Sequence, residues 1–372
     1  DLLGRPQAVL DRPAMQQLIG GQRVLITGAG GTIGSELVRQ IAAFGPAQLT
    51  LVDHSEFNLY TVDQELGRDF PDLPREIRLA DVRDRRHVAA VFADARPQLV
   101  FHAAALKHVH LVEANPGEGV LTNVAGSRNI ADLCQEFGVE AMVQVSTDKA
   151  VNPTGVMGAT KRAAEAYCQA LDIAGRDAAE PRTRFITVRF GNVLGSTGSV
   201  VPLFQQQIAR GGPLTVTHRE VSRYFMTTRE AVELILQASV LGTNDGSTSG
   251  RIFVLDMGMP VRIVELAEKM IRLAGKRPYE DIDIIFTGLR PGEKLHEELF
   301  HYGEATTPTD NESIRLAAPR IADYQVLARS IDELTRIAES ADDARCLEVL
   351  HRIVPEYTPA NEPPDRMATA AK

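Results

Sequence analysis

The sequence predicts an α/β fold, a doubly wound parallel sheet with a smaller substrate lobe interleaved at its end. Three observations carry that expectation. Short β-branched runs alternate with amphipathic stretches through the first half, the first run leads into a glycine-rich turn, and after Arg189 the alternation breaks into Gly- and Pro-rich loops. Alternation at this spacing builds βαβ units, whose strands lie parallel, as in a Rossmann-type domain. In order, strands are expected at 23–27, 48–52, 76–80, 98–102, 141–146 and 185–189, with helical patterns between them such as 35–43 and 126–137. Beyond the loops GNVLGSTGSVVPLF and RGGPLTV, helices are expected at 228–241 and 263–274 and a strand at 283–286. Residues 1–191, with 225–256 returning to them, form the expected Rossmann domain. Residues 192–224 and 257–302 form the lobe, and 303–372 hold two helices and an end, PANEPPDRMATAAK, whose composition suits disorder.

Composition narrows the class. With 372 residues, 44% hydrophobic and 24% charged, the chain reads as a soluble globular protein, and no run of 18 apolar residues offers a membrane span. A net charge of −9, no Trp and only 5% aromatic residues disfavour nucleic acid as a partner. Three widely spaced cysteines (Cys134, Cys168, Cys346) suit a reducing compartment, and neither a disulfide framework nor a metal site is expected. The first residue is Asp1 and no signal-peptide pattern follows, so a fragment of a longer protein is expected.

TGAGGTIGSEL follows the first strand and opens a helix, placing Gly28, Gly31 and Gly34 at the spacing G-x-x-G-x-x-G. Glycine there permits a tight turn and lets backbone N–H groups, with Thr32 and Ile33 in the same turn, approach a pyrophosphate. Asp53 ends the second strand 19 residues past Gly34, where a carboxylate accepts from ribose hydroxyls and repels a 2′-phosphate. HSEFNLY after it offers no Arg or Lys, so NAD is expected rather than NADP. Asp81, followed by Val82, stands where it can meet the adenine or equally cap a helix. Ala103 and Ala104 complete the expected cofactor set.

FHAAALKHVHLVE, TNVAGS, STDKAVNP, RFGNVLGSTGSV and LRPGEKLHEEL, together with the glycine turn, resemble the extended short-chain dehydrogenase/reductases. Within them the chain resembles the UDP-N-acetylglucosamine 4,6-dehydratases over roughly residues 15–300. That resemblance implies a redox-neutral elimination. NAD takes hydride from carbon 4 of UDP-N-acetylglucosamine, a base removes the carbon-5 proton, an acid helps the carbon-6 hydroxyl leave, and the hydride returns to carbon 6. The family pattern places a Tyr four residues before Lys161, but this chain has Met157 there, in NPTGVMGATK. That matches the long, membrane-anchored kind and implies retention at carbon 5. It also implies a homo-oligomer on the cytoplasmic side of a bacterial inner membrane, held there by a part this chain lacks.

Thr147, Asp148 and Lys149 lie just past the end of a central strand, where open α/β sheets place ligands. Lys149 is expected to be a neutral base and Asp148 the acid, both favoured by burial. With Met157 aprotic and packing against ring or sugar, the carbon-4 proton is expected to pass through Thr147 or water to Asp148. By resemblance Lys161 holds the nicotinamide ribose, Asn192 contacts diphosphate or sugar, and Ser199 to Phe204, including Val200, lines the uridine. Thr215 to Thr217 face the uracil, Arg223 and Arg290 neutralise the diphosphate, and Glu293 holds the ribose. Lys107 and His108 contact substrate or simply solvate their loop. Two other functions fit parts of this pattern: a UDP-sugar 4-epimerase, and an NAD-binding scaffold or sensor without catalysis.

Overall fold

A computed structural model describes residues 8–176, 182–244, 248–301 and 304–359; the expected disorder of 360–372 lies outside the described residues. Six parallel strands carry the first half: β1 (Arg23–Thr27), β2 (Gln48–Asp53), β3 (Arg75–Leu79), β4 (Leu99–His102), β5 (Ala141–Val145) and β6 (Arg184–Arg189). Their spatial order is 3-2-1-4-5-6. Ile252–Leu255 runs parallel beside β6, and two antiparallel strands, Ile314–Ala317 and Thr306–Pro308, finish that edge. The doubly wound sheet is therefore as expected. The two edge strands were not, because each is three or four residues long and half exposed, which leaves little alternation to read.

The central strands are buried along nearly their whole length, since helices cover both faces. On one face the helices Arg85–Ala95, Ser127–Glu136 and Val156–Arg176 pack with Tyr324–Glu339 and Asp343–Ile353 around Phe92, Leu133, Met142, Leu334 and Leu350. On the other, Arg12–Ile19, Thr32–Ala42, Glu56–Asp69 and Thr228–Asn244 cover Ile26, Leu51, Phe101 and Ile235. A third cluster around Phe204, Leu214, Phe225, Ile271 and Ile284 ties together Val200–Ala209, Leu214–Val216, Ile263–Leu273 and Ile284–Phe286.

One departure positions the site. The helix expected from residue 126 is preceded by a π-helix over Val120–Gly126, a form often found at functional sites. Inside it Asn123, wholly buried, accepts from the Leu106 amide (2.8 Å) and donates to the Leu106 carbonyl (3.0 Å) and Thr160 Oγ1 (3.0 Å). One side chain thus fixes the loop after β4 against Val156–Arg176. Among the described residues no helix is long and apolar enough to cross a membrane.

Candidate active site

The strand order reverses between β1 and β4, which opens a crevice beyond their C-terminal ends. Gly28 stands there at φ 66°, and a Cβ on it would lie 2.6 Å from the Ala104 nitrogen. A Cβ on Gly34 would strike the Gly28 carbonyl. These contacts explain the glycines and press the turn onto Ala103 and Ala104. Thr32–Ala42 begins without a side-chain cap or an acidic residue in its first turn, so its N–H groups face the crevice with a positive end. Asp53 accepts from the Gly30 amide through Oδ2 and from the Ser55 amide through Oδ1, both at 2.9 Å. It braces the turn while keeping lone pairs for ribose hydroxyls. The cradle therefore fits a dinucleotide.

Asp81 does not cap a helix. Its carboxylate accepts from the Arg83 amide and pairs with the Arg83 guanidinium at 2.7 Å, while Asp84 caps Arg85–Ala95 by accepting from the His87 amide. The turn Asp81–Asp84 lifts the cap three residues further along than expected. Val82 is buried against Gly126.

Past the end of β5, Thr147 caps the short 3₁₀ turn Asp148–Ala150. Asp148 is wholly buried, and its Oδ1 accepts from Thr147 Oγ1 and from Lys149 Nζ, each at 3.0 Å. Lys149 Nζ also donates to Asn192 Oδ1 at 2.9 Å and lies 3.6 Å from Glu297 Oε1. Burial alone would lower the Lys149 pKa, but Asp148 and Glu297 outweigh it and the net shift is upward. The expected neutral amine is thus corrected: Lys149 is an ammonium in an ion pair. Asn192, expected at the diphosphate or sugar, is one of its acceptors. Thr147 and Lys149 keep partial exposure, so they face the crevice and Asp148 sits behind them.

Val156–Arg176 approaches this turn so closely that a Cβ on Gly158 would collide with the Lys149 carbonyl. Met157 is 3% exposed within the main core rather than open to a ligand, which corrects its expected packing on ring or sugar. Lys161 Nζ donates to the Val145 carbonyl at 2.7 Å, and burial lowers its pKa to about 8 against the opposing pull of Glu165. Glu165, one turn on, accepts from Ser146 Oγ (2.7 Å) and from Arg189 Nε and Nη2 (2.8 and 2.7 Å), binding the ends of β5 and β6 to this helix.

At the lobe, Arg223 is buried with Nη2 3.1 Å from Glu293 Oε1, and its Nη1 donates to the carbonyls of Ser222 and Leu295. Glu293 also accepts from Thr217 Oγ1 (3.0 Å) and the Arg290 amide (3.1 Å), so Thr217, Arg223 and the backbone of Arg290 converge on Glu293. Thr215 Oγ1 accepts from Gln207 at 2.8 Å. Ser199 precedes Val200–Ala209, with Val200 half-buried, but Phe204 is wholly buried in the lobe core and cannot line a ligand. Gly198 packs on the His108 ring, which brings Lys107 and His108 to the same crevice. Burial lowers the pKa of both.

Residues 24–319 match the family model described as "Polysaccharide biosynthesis protein". The chain belongs to this polysaccharide biosynthesis family. It is 48% identical over 305 residues to the capsular polysaccharide biosynthesis protein CapD of Staphylococcus aureus, covering 82% of this chain and 49% of that relative. It is 32% identical over 307 residues to a UDP-N-acetylglucosamine 4,6-dehydratase (inverting) of Campylobacter jejuni, covering 82% and 85%. Among solved structures, Pen from Bacillus thuringiensis matches with a TM-score of 0.71 at 33% identity, covering 81% and 88%. The UDP-glucose 4-epimerase of Thermus thermophilus, solved with NAD, shares the fold with a TM-score of 0.59 at 22% identity, covering 74% and 89%. The chain spans about half the length of CapD.

Three residues of this polysaccharide biosynthesis protein escaped the sequence reading. Glu297 approaches Lys149 from 148 positions away in the chain, Asn123 locks the loop after β4, and Tyr224 and Asp148 Oδ2 both crowd Gly191, where a Cβ would lie 2.9 and 3.1 Å from them. The motifs LRPGEKLHEEL and TNVAGS contain the first two, yet only three-dimensional pairing gives them a role.

Proposed function

We propose that this chain is the catalytic part of an NAD-dependent, redox-neutral dehydratase that converts UDP-N-acetylglucosamine to its 4-keto-6-deoxy derivative, retaining configuration at carbon 5. Membership in the family, likeness to a named dehydratase and the dinucleotide cradle support a nucleotide-sugar enzyme using NAD. The observation that carries the dehydratase reading is the buried Asp148 joined at 3.0 Å to both Thr147 and Lys149. A simple 4-epimerase has no leaving hydroxyl to protonate, whereas an elimination needs a proton delivered there.

Bound NAD would accept hydride from carbon 4 and return it to carbon 6. The carbon-4 hydroxyl proton enters at Thr147 Oγ1, whose own proton passes to Asp148 Oδ1. The Lys149 ammonium gives a proton to the leaving hydroxyl and takes the carbon-5 proton, returning it later to the same face. Asp148 then reprotonates Lys149 and the ion pair is restored; the water carries a proton from Lys149, and the carbon-4 proton replaces it in the Thr147–Asp148–Lys149 chain. In this cycle the first acid is Lys149, and Asp148 links the two groups that face the crevice. Arg223, Arg290 and Glu293 would hold the UDP part, with Thr215, Thr217, Ser199 and Val200 beside it. Lys161 and Asp53 would hold the two NAD riboses. The dehydratase reading is tested by incubating the protein with NAD and UDP-N-acetylglucosamine without reductant. Mass spectrometry should find loss of one water; unchanged mass with altered configuration would replace the reading by an epimerase. NMR coupling constants of the product give carbon 5, where an inverted centre would remove the retention.

A further inference from the structure

Between Lys149 and the expected diphosphate arginine lies one carboxylate. Glu297 Oε1 is 3.6 Å from Lys149 Nζ and 3.7 Å from Arg223 Nε. Its side chain is 3% exposed, and Oε2 has no hydrogen-bond partner among the described residues. A buried carboxylate shared by two cations is held by both, and a change at either cation is felt at the other. Lys149 faces Asp148 and Asn192 at hydrogen-bond distance, Glu297 at ion-pair distance, and Arg223 as the nearby opposing cation. Arg223 is further engaged by Glu293 at 3.1 Å.

We propose that Glu297 is a positioning residue that couples the nucleotide diphosphate site to the catalytic lysine. With the site empty of diphosphate, Arg223 draws on Glu297 and Glu293 together. Phosphate oxygens are strong acceptors for a guanidinium and take its donors when a nucleoside diphosphate binds. Glu297 is then left to Lys149, and its negative charge holds the lysine as an ammonium, aimed between Asp148 and Asn192. The ammonium form of Lys149 is therefore held most firmly when the UDP part is seated. The amine is primed by a part of the substrate remote from the reacting carbons, which is the use of binding energy expected of an enzyme that handles a small sugar.

This inference rests on the proposed dehydratase for its role in turnover, so its test has one arm independent of turnover. Protein carrying ¹³C-labelled lysine, with the Lys149 signal assigned from Lys149→Met, is titrated by NMR with and without UDP. In wild type, UDP should move the Lys149 midpoint to higher pH. Glu297→Gln, nearly isosteric, should lower the midpoint in the free protein and shrink the shift caused by UDP, and Glu297→Asp should restore part of both. In turnover, Glu297→Gln should move the alkaline limb of the pH profile to lower pH, so that kcat on that limb falls about tenfold for each pH unit of the shift, with the KM for the UDP-sugar within about twofold. An unmoved Lys149 titration in Glu297→Gln overturns the coupling. So does a KM that rises in step with the loss of kcat, because Glu297 would then merely shape the Arg223 pocket. A wild type without turnover would sink the dehydratase reading while leaving the NMR arm to judge Glu297.

Discussion

At the scale of single residues, the Met at 157 costs the proposed chemistry nothing, since the proton route Thr147–Asp148–Lys149 avoids it. Met157→Leu conserves volume in a packed core and should lose under about 1.5 kcal/mol of stability, with turnover within a few-fold of wild type. Asp148→Asn removes the acceptor between Thr147 and Lys149 and should lower kcat by about 10²–10⁴, measured as product formed per bound NAD. A dead Met157→Leu beside an active Asp148→Asn would end the relay. Lys161 gives a second, thermodynamic forecast. Its pKa is lowered from 10.5 to about 8 by burial. Above about 8 the folded chain releases a proton that the unfolded chain keeps until about 10.5, so stability rises with pH across that window. Lys161→Met should therefore melt higher than wild type at pH 7, by on the order of 1–2 kcal/mol after the lost hydrogen bond to Val145, and the gap should close as the pH approaches 10. A gap independent of pH would place the stabilisation elsewhere. Gly28, Gly34 and Asp53 were legible because a turn between strand and helix is a local event written in adjacent residues. The charge on Lys149 was not, because Glu297 reaches it through the lobe and no spacing in the sequence announces that contact.

At the scale of elements, the site depends on how near Val156–Arg176 comes to the 3₁₀ turn Asp148–Ala150. Gly158 is the point of closest approach, where any Cβ collides with the Lys149 carbonyl. Backbone meets backbone there, so no side chain can step aside. Gly158→Ala should destabilise by about 1–3 kcal/mol or more and displace Lys149 from Asn192, which urea melts and a fall in kcat would register together. Unchanged stability would mean that the helix can shift without cost. The helix itself was readable only by its glycines and by resemblance, and its residues are buried on nearly every side. The π-turn before Ser127–Glu136 was invisible for a different reason: Val120–Gly126 has the same apolar spacing an α-helix would show, and Asn123 is what holds the extra residue per turn in place. Ile314–Ala317 pairs with the edge of Ile252–Leu255, a partner no local pattern reveals, and Thr306–Pro308 pairs in turn with Ile314–Ala317.

At the scale of the whole molecule, the last helices belong to the core of the first domain. Cys346, Val349, Leu350 and Ile353 are buried with Leu133 and Met142 on the face of the sheet that carries Val156–Arg176. Losing the burial of Val349, Leu350 and Ile353 alone forfeits roughly 1.5–3 kcal/mol each, comparable with a domain's entire stability of about 5–15 kcal/mol. A chain ending at Ser340 should accordingly fail to give a cooperative thermal transition, and a sharp melt near that of the full chain would refute this account. Arg162 inside Val156–Arg176 is 2% exposed and donates through Nε to Glu356 at 2.8 Å, 194 positions later, while the Thr358 amide donates to the Pro153 carbonyl at 2.9 Å, just past the 3₁₀ turn Asp148–Ala150. Chain order gives this stitching a temporal meaning. A ribosome adds about 5–20 residues per second, so Arg162 emerges on the order of 10–40 s before its carboxylate partner exists. Through that interval the nascent domain holds a guanidinium it cannot yet bury and an apolar sheet face it cannot yet cover. Val156–Arg176 is made before the middle of the chain and closed over only near its end, which makes the growing chain a client for any chaperone that shields exposed apolar surface during synthesis.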